Sequence, residues 1–230
     1  MKRPTFFTAI VLIASTSLSA SAFSQDSSPG YLPEGSIDAA ALIGPPPAIG
    51  SEVFDQQMAI VLWLQETRIP EQVAFVEQTL DQTRFVPLLG DALLQADGRQ
   101  LNQMIDDVID EVRADYDALK DVYDLPRPFQ VNEAVEPVGD ARPVASYPSG
   151  HAIRATVYAR LLAEIFPDHE AALMDLADRI AHGRVIAGVH YPIDVVSGQE
   201  LGNAYADIII AQPTFADAVD DILGSQSEGG

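Results

Sequence analysis

Three groups of polar side chains in this sequence could bind and transform an oxyanion. The first joins Lys120 to Arg127 across six intervening residues, with Pro128 directly after. Lysine supplies a compact positive charge, and arginine presents a planar fork that matches two oxygens of a phosphate group. The spacing places the lysine near the end of a long predicted helix and the arginine in the loop after it. This pair predicts part of an anion-binding site.

The second group is Pro148-Ser149-Gly150-His151, at the start of a predicted helix. Ser149 is a favoured N-cap residue, and Gly150 allows the backbone to approach a ligand closely. The unpaired amides and the positive dipole end of such a helix attract anions. His151 would lie in the first turn, where it could donate a proton. Taken alone, however, the tetrapeptide also fits an ordinary capped helix.

The third group contains Arg184, His190 and Asp194, with five residues between the first two and three between the last two. Pro192 is tolerated in a first helical turn, so the Asp194 carboxylate can reach the His190 ring. That hydrogen bond would fix the tautomer and leave the other ring nitrogen as a nucleophile. A histidine–aspartate pair on a helix surface would show the same spacing, so this pattern alone leaves both interpretations open.

Helices must position these groups, because apolar residues recur at three- and four-residue intervals and alternating β-type runs do not occur. The predicted helical segments are 52–66, 70–83, 99–122, 151–165, 168–186 and 192–211. We therefore predict an all-α, single-domain helical bundle that presents loop and helix-terminal residues at one end. The long proline-containing stretch 125–148 connects the first two motifs, which favours a functional loop.

The N-terminal residues predict a secreted protein. Met1-Lys2-Arg3, a short apolar run and Ser19-Ala20-Ser21-Ala22 form the pattern of a signal peptide, 1–22, cleaved after Ala22. An extended arm, 23–51, would precede the helical domain, 52–223, and a flexible tail, 224–230, would follow it. No later segment is apolar enough to cross a bilayer, so we expect no integral membrane association and a periplasmic location.

The charge balance limits the partners of the protein. The chain has 13 Lys and Arg residues against 34 Asp and Glu residues, a net charge of −21. Such a field repels nucleic acid and anionic membranes, so an anionic substrate needs a local concentration of cations. The chain has no cysteine, which excludes disulfides and thiolate metal ligands.

Together the motifs resemble the bacterial class A non-specific acid phosphatases of the type 2 phosphatidic acid phosphatase superfamily, which also includes vanadium haloperoxidases. Their signature is Lys-x6-Arg-Pro, then Pro-Ser-Gly-His, then Ser-Arg-x5-His-x3-Asp. This chain carries the three motifs in order, and the resemblance extends to Ser146-Tyr147 and Gly188 and covers roughly residues 44–211.

The resemblance implies a role for each matched residue. Lys120, Arg127 and Arg184 would bind phosphate oxygens together with Ser149 and the Gly150 amide. His190 would be the nucleophile, Asp194 its orienting partner and His151 the general acid, which needs His190 neutral and His151 protonated in the free enzyme. The implied activity is a metal-independent acid phosphatase without a cofactor, which hydrolyses small phosphate monoesters through a phosphohistidine. It would have broad specificity, transfer phosphate to some acceptor alcohols, be inhibited by vanadate and form a homo-oligomer.

One departure and several alternatives remain. Gly183 replaces the serine of the third motif, which could loosen the positioning of Arg184. A vanadium-dependent haloperoxidase would use the same cradle for vanadate. A catalytically weak periplasmic oxyanion-binding protein would bind phosphate without turnover, and a lipid phosphatase would act at a membrane.

Other polar and aromatic residues are expected to lie outside the site. We predict that His182 is structural or supports the residues of the site from behind, and is not a metal ligand, because no convergent donors accompany it. Trp63 is expected in the core. Arg154, Arg160 and Arg179 are expected to be charges on helix surfaces.

Overall fold

The computed structural model describes residues 30–224. This part of the chain is helical and contains no β-strand, which confirms the predicted all-α fold. The helices are α1 (Ala39–Ile43), α2 (Glu52–Thr67), α3 (Pro70–Val76), α4 (Val86–Leu89), α5 (Gly98–Tyr123), α6 (Pro128–Val131), α7 (Gly150–Ile165), α8 (Glu170–Ile186), α9 (Pro192–Ile210) and α10 (Pro213–Gly224). Short 3₁₀ turns occur at Gln82–Arg84, Gly90–Gln95 and Pro167–His169. The predicted signal peptide lies outside the described residues.

Helix α5 forms because its apolar residues recur on one face. It begins after Asp97, whose side chain accepts hydrogen bonds from the Arg99 and Gln100 amides, and it ends at Asp124, which adopts the left-handed conformation (φ 40°). The face that enters the main core consists of Leu101, Met104, Ile105, Val108, Ile109, Val112, Tyr116 and Leu119. This face holds the end of the helix, with Lys120, against α7.

Helix α7 lies at the centre of the bundle and packs along both α8 and α9. Its contact with α9 is close because two glycines face it: a Cβ at Gly198 would lie 2.8 Å from the Ala152 Cβ, and one at Gly202 would lie 2.7 Å from the Thr156 Cβ. A side chain at either glycine would push the helices apart. The small residues therefore fix the position of the α7 start relative to the α9 start.

The predicted arm is not wholly extended. Residues 39–43 form one helical turn, and the Tyr147 hydroxyl donates to the carbonyls that end it, those of Ile43 (3.0 Å) and Gly44 (3.1 Å). Upstream, the Leu32 amide donates to Glu111 on α5 (2.6 Å). The arm therefore runs over the domain and is attached by specific hydrogen bonds.

Several other sequence predictions need correction. Helix α3 ends at Val76 instead of continuing to 83, because the chain turns to bury Leu80 and Phe85 in the main core. The last helix of the domain, α10, continues to Gly224, the first residue of the predicted tail, with Phe215 and Ile222 buried. The rest of the predicted tail lies outside the described residues.

The prediction that Trp63 lies in the core is wrong: this side chain is 61% exposed. Helix α2 buries Phe54, Met58 and Val61, so Trp63 lies on another face. No helix within residues 30–224 is both long enough and apolar enough to cross a membrane.

Candidate active site

The candidate site lies where four helix ends meet. The end of α5, the start of α7, the end of α8, the loop 140–145 and His190, two residues before α9, surround a cavity of about 660 Å³. Six of the predicted site residues line it: Lys120, Arg127, Gly150, His151, Arg184 and His190. The bundle therefore brings the three sequence motifs together at one end, as expected.

Two hydrogen bonds define the tautomer of His190. Its Nδ1 lies 3.0 Å from Asp194 Oδ2, and its Nε2 lies 2.9 Å from Arg127 Nη1. A guanidinium can only donate, so Nε2 must accept and the ring proton must be on Nδ1. Burial and the neighbouring cations lower the pKa of His190 well below its usual value. The ring is therefore neutral, and its Nε2 lone pair lies at the cavity.

Asp194 is fully buried behind His190 and receives further hydrogen bonds. Its Oδ2 also accepts from the Ser146 hydroxyl (2.5 Å) and from the Tyr191 amide (2.9 Å). Burial raises the pKa of Asp194 to about 6, while these two hydrogen bonds act in the opposite direction. They stabilise the ionised form and hold the carboxylate in the position that orients His190.

Arg127 and Lys120 are held by backbone carbonyls around the cavity. Arg127 donates from Nε to the Val144 carbonyl (3.0 Å) and from Nη1 to the Val189 carbonyl (2.7 Å). Lys120 Nζ donates to the carbonyls of Ala145 (3.3 Å) and Pro148 (3.2 Å). Burial, together with the Arg127 charge, lowers the pKa of Lys120 to about 8, so this cation keeps its proton under acidic conditions.

Arg184 is buried near the end of α8, and its Nε has no hydrogen-bond partner among the described residues. Burial first, then the Arg127 charge, lowers its pKa to about 10. Packing explains why the preceding residue is glycine: a Cβ at Gly183 would lie 2.8 Å from Val76 Cγ1. Helix α3 therefore occupies the space that a serine side chain would need, while Arg184 still reaches the cavity.

The protonation state expected for His151 needs correction. Burial, followed by the charges of Arg184 and Arg154, lowers its pKa to about 2. The imidazolium is therefore disfavoured beside this set of cations. A phosphate group among the same cations would oppose their effect, so the proton has to arrive with the anion or after it.

Ser149 and Asp194 are the two predicted site residues that do not line the cavity. Ser149 is fully buried, and its hydroxyl accepts a hydrogen bond from the Ala152 amide (3.3 Å), as expected of an N-cap. It stabilises the start of α7, so Gly150 and His151 reach the cavity wall.

Sequence reasoning missed several residues of the site. Arg154, predicted to be a surface charge, is half-buried and lines the cavity. Tyr116 and Arg142 also line the cavity. The spacing of Arg154, three residues after His151 on the same helix, was the available signal. Ser146 was noted as part of the resemblance, but its hydrogen bond to Asp194 depends on folding across 48 residues.

His182 lies outside the site, as predicted. Its side chain is exposed, and Nδ1 contacts the Asp178 carbonyl one turn earlier in α8 (2.8 Å). Within residues 30–224, no group of three or more histidine or carboxylate side chains is arranged to hold a metal ion.

Comparison with known families assigns the domain. Residues 108–216 match the PAP2 superfamily model, and this range contains every residue of the three motifs. This match identifies residues 108–216 as a PAP2 superfamily domain.

Individual relatives agree with this assignment. The chain is 25% identical over 190 residues to a non-specific acid phosphatase of Providencia stuartii, covering 78% of this chain and 77% of the relative. It is 25% identical over 199 residues to an acid phosphatase of Zymomonas mobilis, covering 82% of this chain and 75% of the relative.

A similar solved structure is a transmembrane PAP2 type phosphatidylglycerolphosphate phosphatase from Bacillus subtilis. The TM-score is 0.55 at 19% identity, and the match covers 74% of this chain and 90% of that one. At this identity the similarity establishes the fold only.

Proposed function

We propose that this protein is a metal-independent acid phosphatase that hydrolyses phosphate monoesters through a phosphohistidine on His190 Nε2. The observation that carries the proposal is the oriented lone pair of His190, which faces a cavity lined by Lys120, Arg127 and Arg184. The acid phosphatases similar to this chain support the same class of substrate. We further propose broad specificity, transfer to acceptor alcohols and export to the periplasm after cleavage at Ala22.

The first step would transfer the phosphoryl group to the enzyme. The three cations bind the phosphate oxygens, and Arg127 exchanges its contact with His190 for one with the substrate. The Nε2 lone pair then forms a bond to phosphorus as the bond from phosphorus to the ester oxygen breaks. His151 protonates the departing oxygen, and Asp194 stabilises the positive charge that develops on the His190 ring.

The second step would release phosphate. His151, now neutral, takes a proton from a water molecule whose oxygen attacks the phosphorus, and the electron pair of the breaking P–N bond returns to Nε2. An alcohol in place of the water gives transfer. Phosphate esters have a second pKa near ~6, so acidic conditions supply a substrate that carries the proton that His151 lacks.

Hydrolysis of p-nitrophenyl phosphate from pH 4 to 8 tests the proposal, with EDTA and vanadate in separate arms. His190→Ala is expected to abolish turnover, whereas His182→Ala, which alters an exposed histidine outside the cavity, should retain it. Alkaline quenching during turnover should trap phosphate on the protein, and His190→Ala should trap none.

Three results would contradict the proposal. Loss of activity in EDTA would indicate metal chemistry. Phosphate binding without turnover would indicate an oxyanion-binding protein, and halide oxidation dependent on added vanadate would indicate a haloperoxidase.

A further inference from the structure

The cavity contains more positive charge than a single phosphate group needs. Six of the 13 Lys and Arg residues of the chain line it, although the net charge of the protein is −21. Lys120, Arg127 and Arg184 account for the cradle around His190. The other three cations, Arg113, Arg142 and Arg154, have no role in the mechanism proposed above.

These three cations differ in their surroundings. Arg142 is exposed and binds Asp140 through Nε at 2.9 Å, so its charge is already compensated. Arg113 is exposed on α5. Only Arg154 is half-buried, and ion pairs in half-buried positions are screened less by water and salt than ion pairs on the surface.

Arg154 is fixed at one end and available at the other. Its Nε donates to the Gly150 carbonyl (3.1 Å), which holds the side chain back along α7 toward His151. Among residues 30–224, no side chain or carbonyl accepts a hydrogen bond from its two terminal nitrogens. The guanidinium can therefore offer two donors to a group in the cavity.

The position of Arg154 places this charge on the leaving-group side. Residues three apart on a helix share a face, with about 5–6 Å between their Cβ atoms, so Arg154 lies beside His151. Its charge is also the second largest contribution from any charged group to the lowered pKa of His151, after Arg184. In the proposed reaction, His151 protonates the departing oxygen.

We propose that Arg154 forms a second anion subsite, and that the protein prefers phosphate esters whose leaving group carries a carboxylate or a further phosphate. This inference rests on the proposed phosphatase function. The acidic residues that line the cavity are exposed, so water and salt screen them more strongly than Arg154; they are Asp117, Asp121, Asp124 and Asp140. A strong effect of these carboxylates would instead favour a cationic leaving group.

Matched substrates test the subsite. Glycerol 1-phosphate and 3-phosphoglycerate differ in one terminal group, a hydroxymethyl or a carboxylate, while fructose 6-phosphate and fructose 1,6-bisphosphate differ by a second phosphate. We expect kcat/KM to favour the additional anion in at least one pair by about tenfold, equivalent to about 1.4 kcal/mol. The pair that shows the preference identifies the second group as carboxylate or phosphate.

Two variants and one control identify the residue. Arg154→Met should abolish the preference, and Arg154→Lys, which keeps the charge, should retain part of it. Arg99→Met removes the same charge at the opposite end of α5, about 30 Å from Lys120 at 1.5 Å per residue, and should leave the preference intact. Circular dichroism and thermal unfolding of each variant confirm the fold.

The outcomes separate this inference from the proposed function. Turnover of p-nitrophenyl phosphate without any preference for the additional anion would overturn the subsite alone. A preference that survives in Arg154→Met, or a higher kcat/KM for O-phosphoethanolamine than for glycerol 1-phosphate, would also overturn it. Absence of turnover with every ester would overturn the phosphatase function itself.

Discussion

Replacement of Gly183 by serine tests why this chain departs from the motif that it otherwise matches. The ideal Cβ at 183 lies 2.8 Å from Val76 Cγ1, closer than real Cβ atoms approach, so the Val76 side chain, α3 or α8 must shift. Overpacking of this kind costs about 1–3 kcal/mol, and the better helix propensity of serine returns about 0.5 kcal/mol. We therefore expect Gly183→Ser to lower the free energy of unfolding by about 0.5–2.5 kcal/mol.

Denaturant unfolding of four proteins measures this effect: the wild type, Gly183→Ser, Val76→Ala and the double variant. Val76→Ala alone should be destabilising, because it removes buried methyl groups. In the double variant the added side chain enters the space left by valine, so the two changes should be less harmful together than their sum by about 1–2 kcal/mol. Gly98→Ser, at a helical glycine with nothing within 4 Å of its Cβ position, is the matched control and should cost little.

The same variants report on the site, because Arg184 follows Gly183 directly. Displacement of α8 should lower kcat/KM for p-nitrophenyl phosphate in Gly183→Ser, and the double variant should recover part of the loss. The packing explanation would be refuted if Gly183→Ser were as stable as the wild type, or if the two changes added independently.

Three further predictions concern other parts of the structure. Because the pKa of His151 is lowered from 6.5 to about 2, its neutral form stabilises the fold above pH 6.5, and this contribution is lost as the pH falls. Between pH 6 and 4 the wild type should therefore lose about 1.4 kcal/mol of unfolding free energy per pH unit relative to His151→Asn. A constant difference between the two proteins in urea unfolding would contradict this. Ser146→Ala removes one of the hydrogen-bond donors to Asp194 and should lower kcat about tenfold with little change in KM, because a charge-assisted hydrogen bond is worth about 1.5–3 kcal/mol. Steady-state kinetics with an unchanged kcat would exclude a positioning role for Ser146. Trp63→Ser should change the free energy of unfolding by no more than about 0.5 kcal/mol, whereas a core tryptophan would cost about 3–5 kcal/mol.

Periodicity located the long helices because their buried faces are regular. In α5, the predicted apolar positions from Leu101 to Val112 all enter the core, and the predicted boundaries differ from the observed ones by one residue at each end. Prediction failed where tertiary contacts decide which side chains are buried and where a helix ends. Trp63 lies within seven consecutive apolar residues, 58–64, which conceal the buried face of α2. Helix α3 ends where two side chains turn into the core.

The features of the candidate site also fall into those that local spacing predicted and those that depend on tertiary packing. The four-residue spacing predicted the hydrogen bond between His190 and Asp194, since His190 lies just before the first turn of α9 and Asp194 lies within it. Ser146 and Tyr116 contribute through the packing of separate elements, which spacing along the chain does not encode. The protonation state of His151 also depends on charges that the fold brings together from α7 and α8.

The hydrogen bond from Arg127 to His190 also has a protective consequence. A neutral imidazole with an accessible lone pair is a common ligand for transition metals. Here a guanidinium caps that lone pair at 2.9 Å, and the surrounding cations repel a metal ion further. Only an anion that attracts Arg127 to itself can uncover the nitrogen. The arrangement thus shields the proposed nucleophile from metals in the surroundings and makes its exposure conditional on the arrival of a molecule with the charge of the proposed substrate.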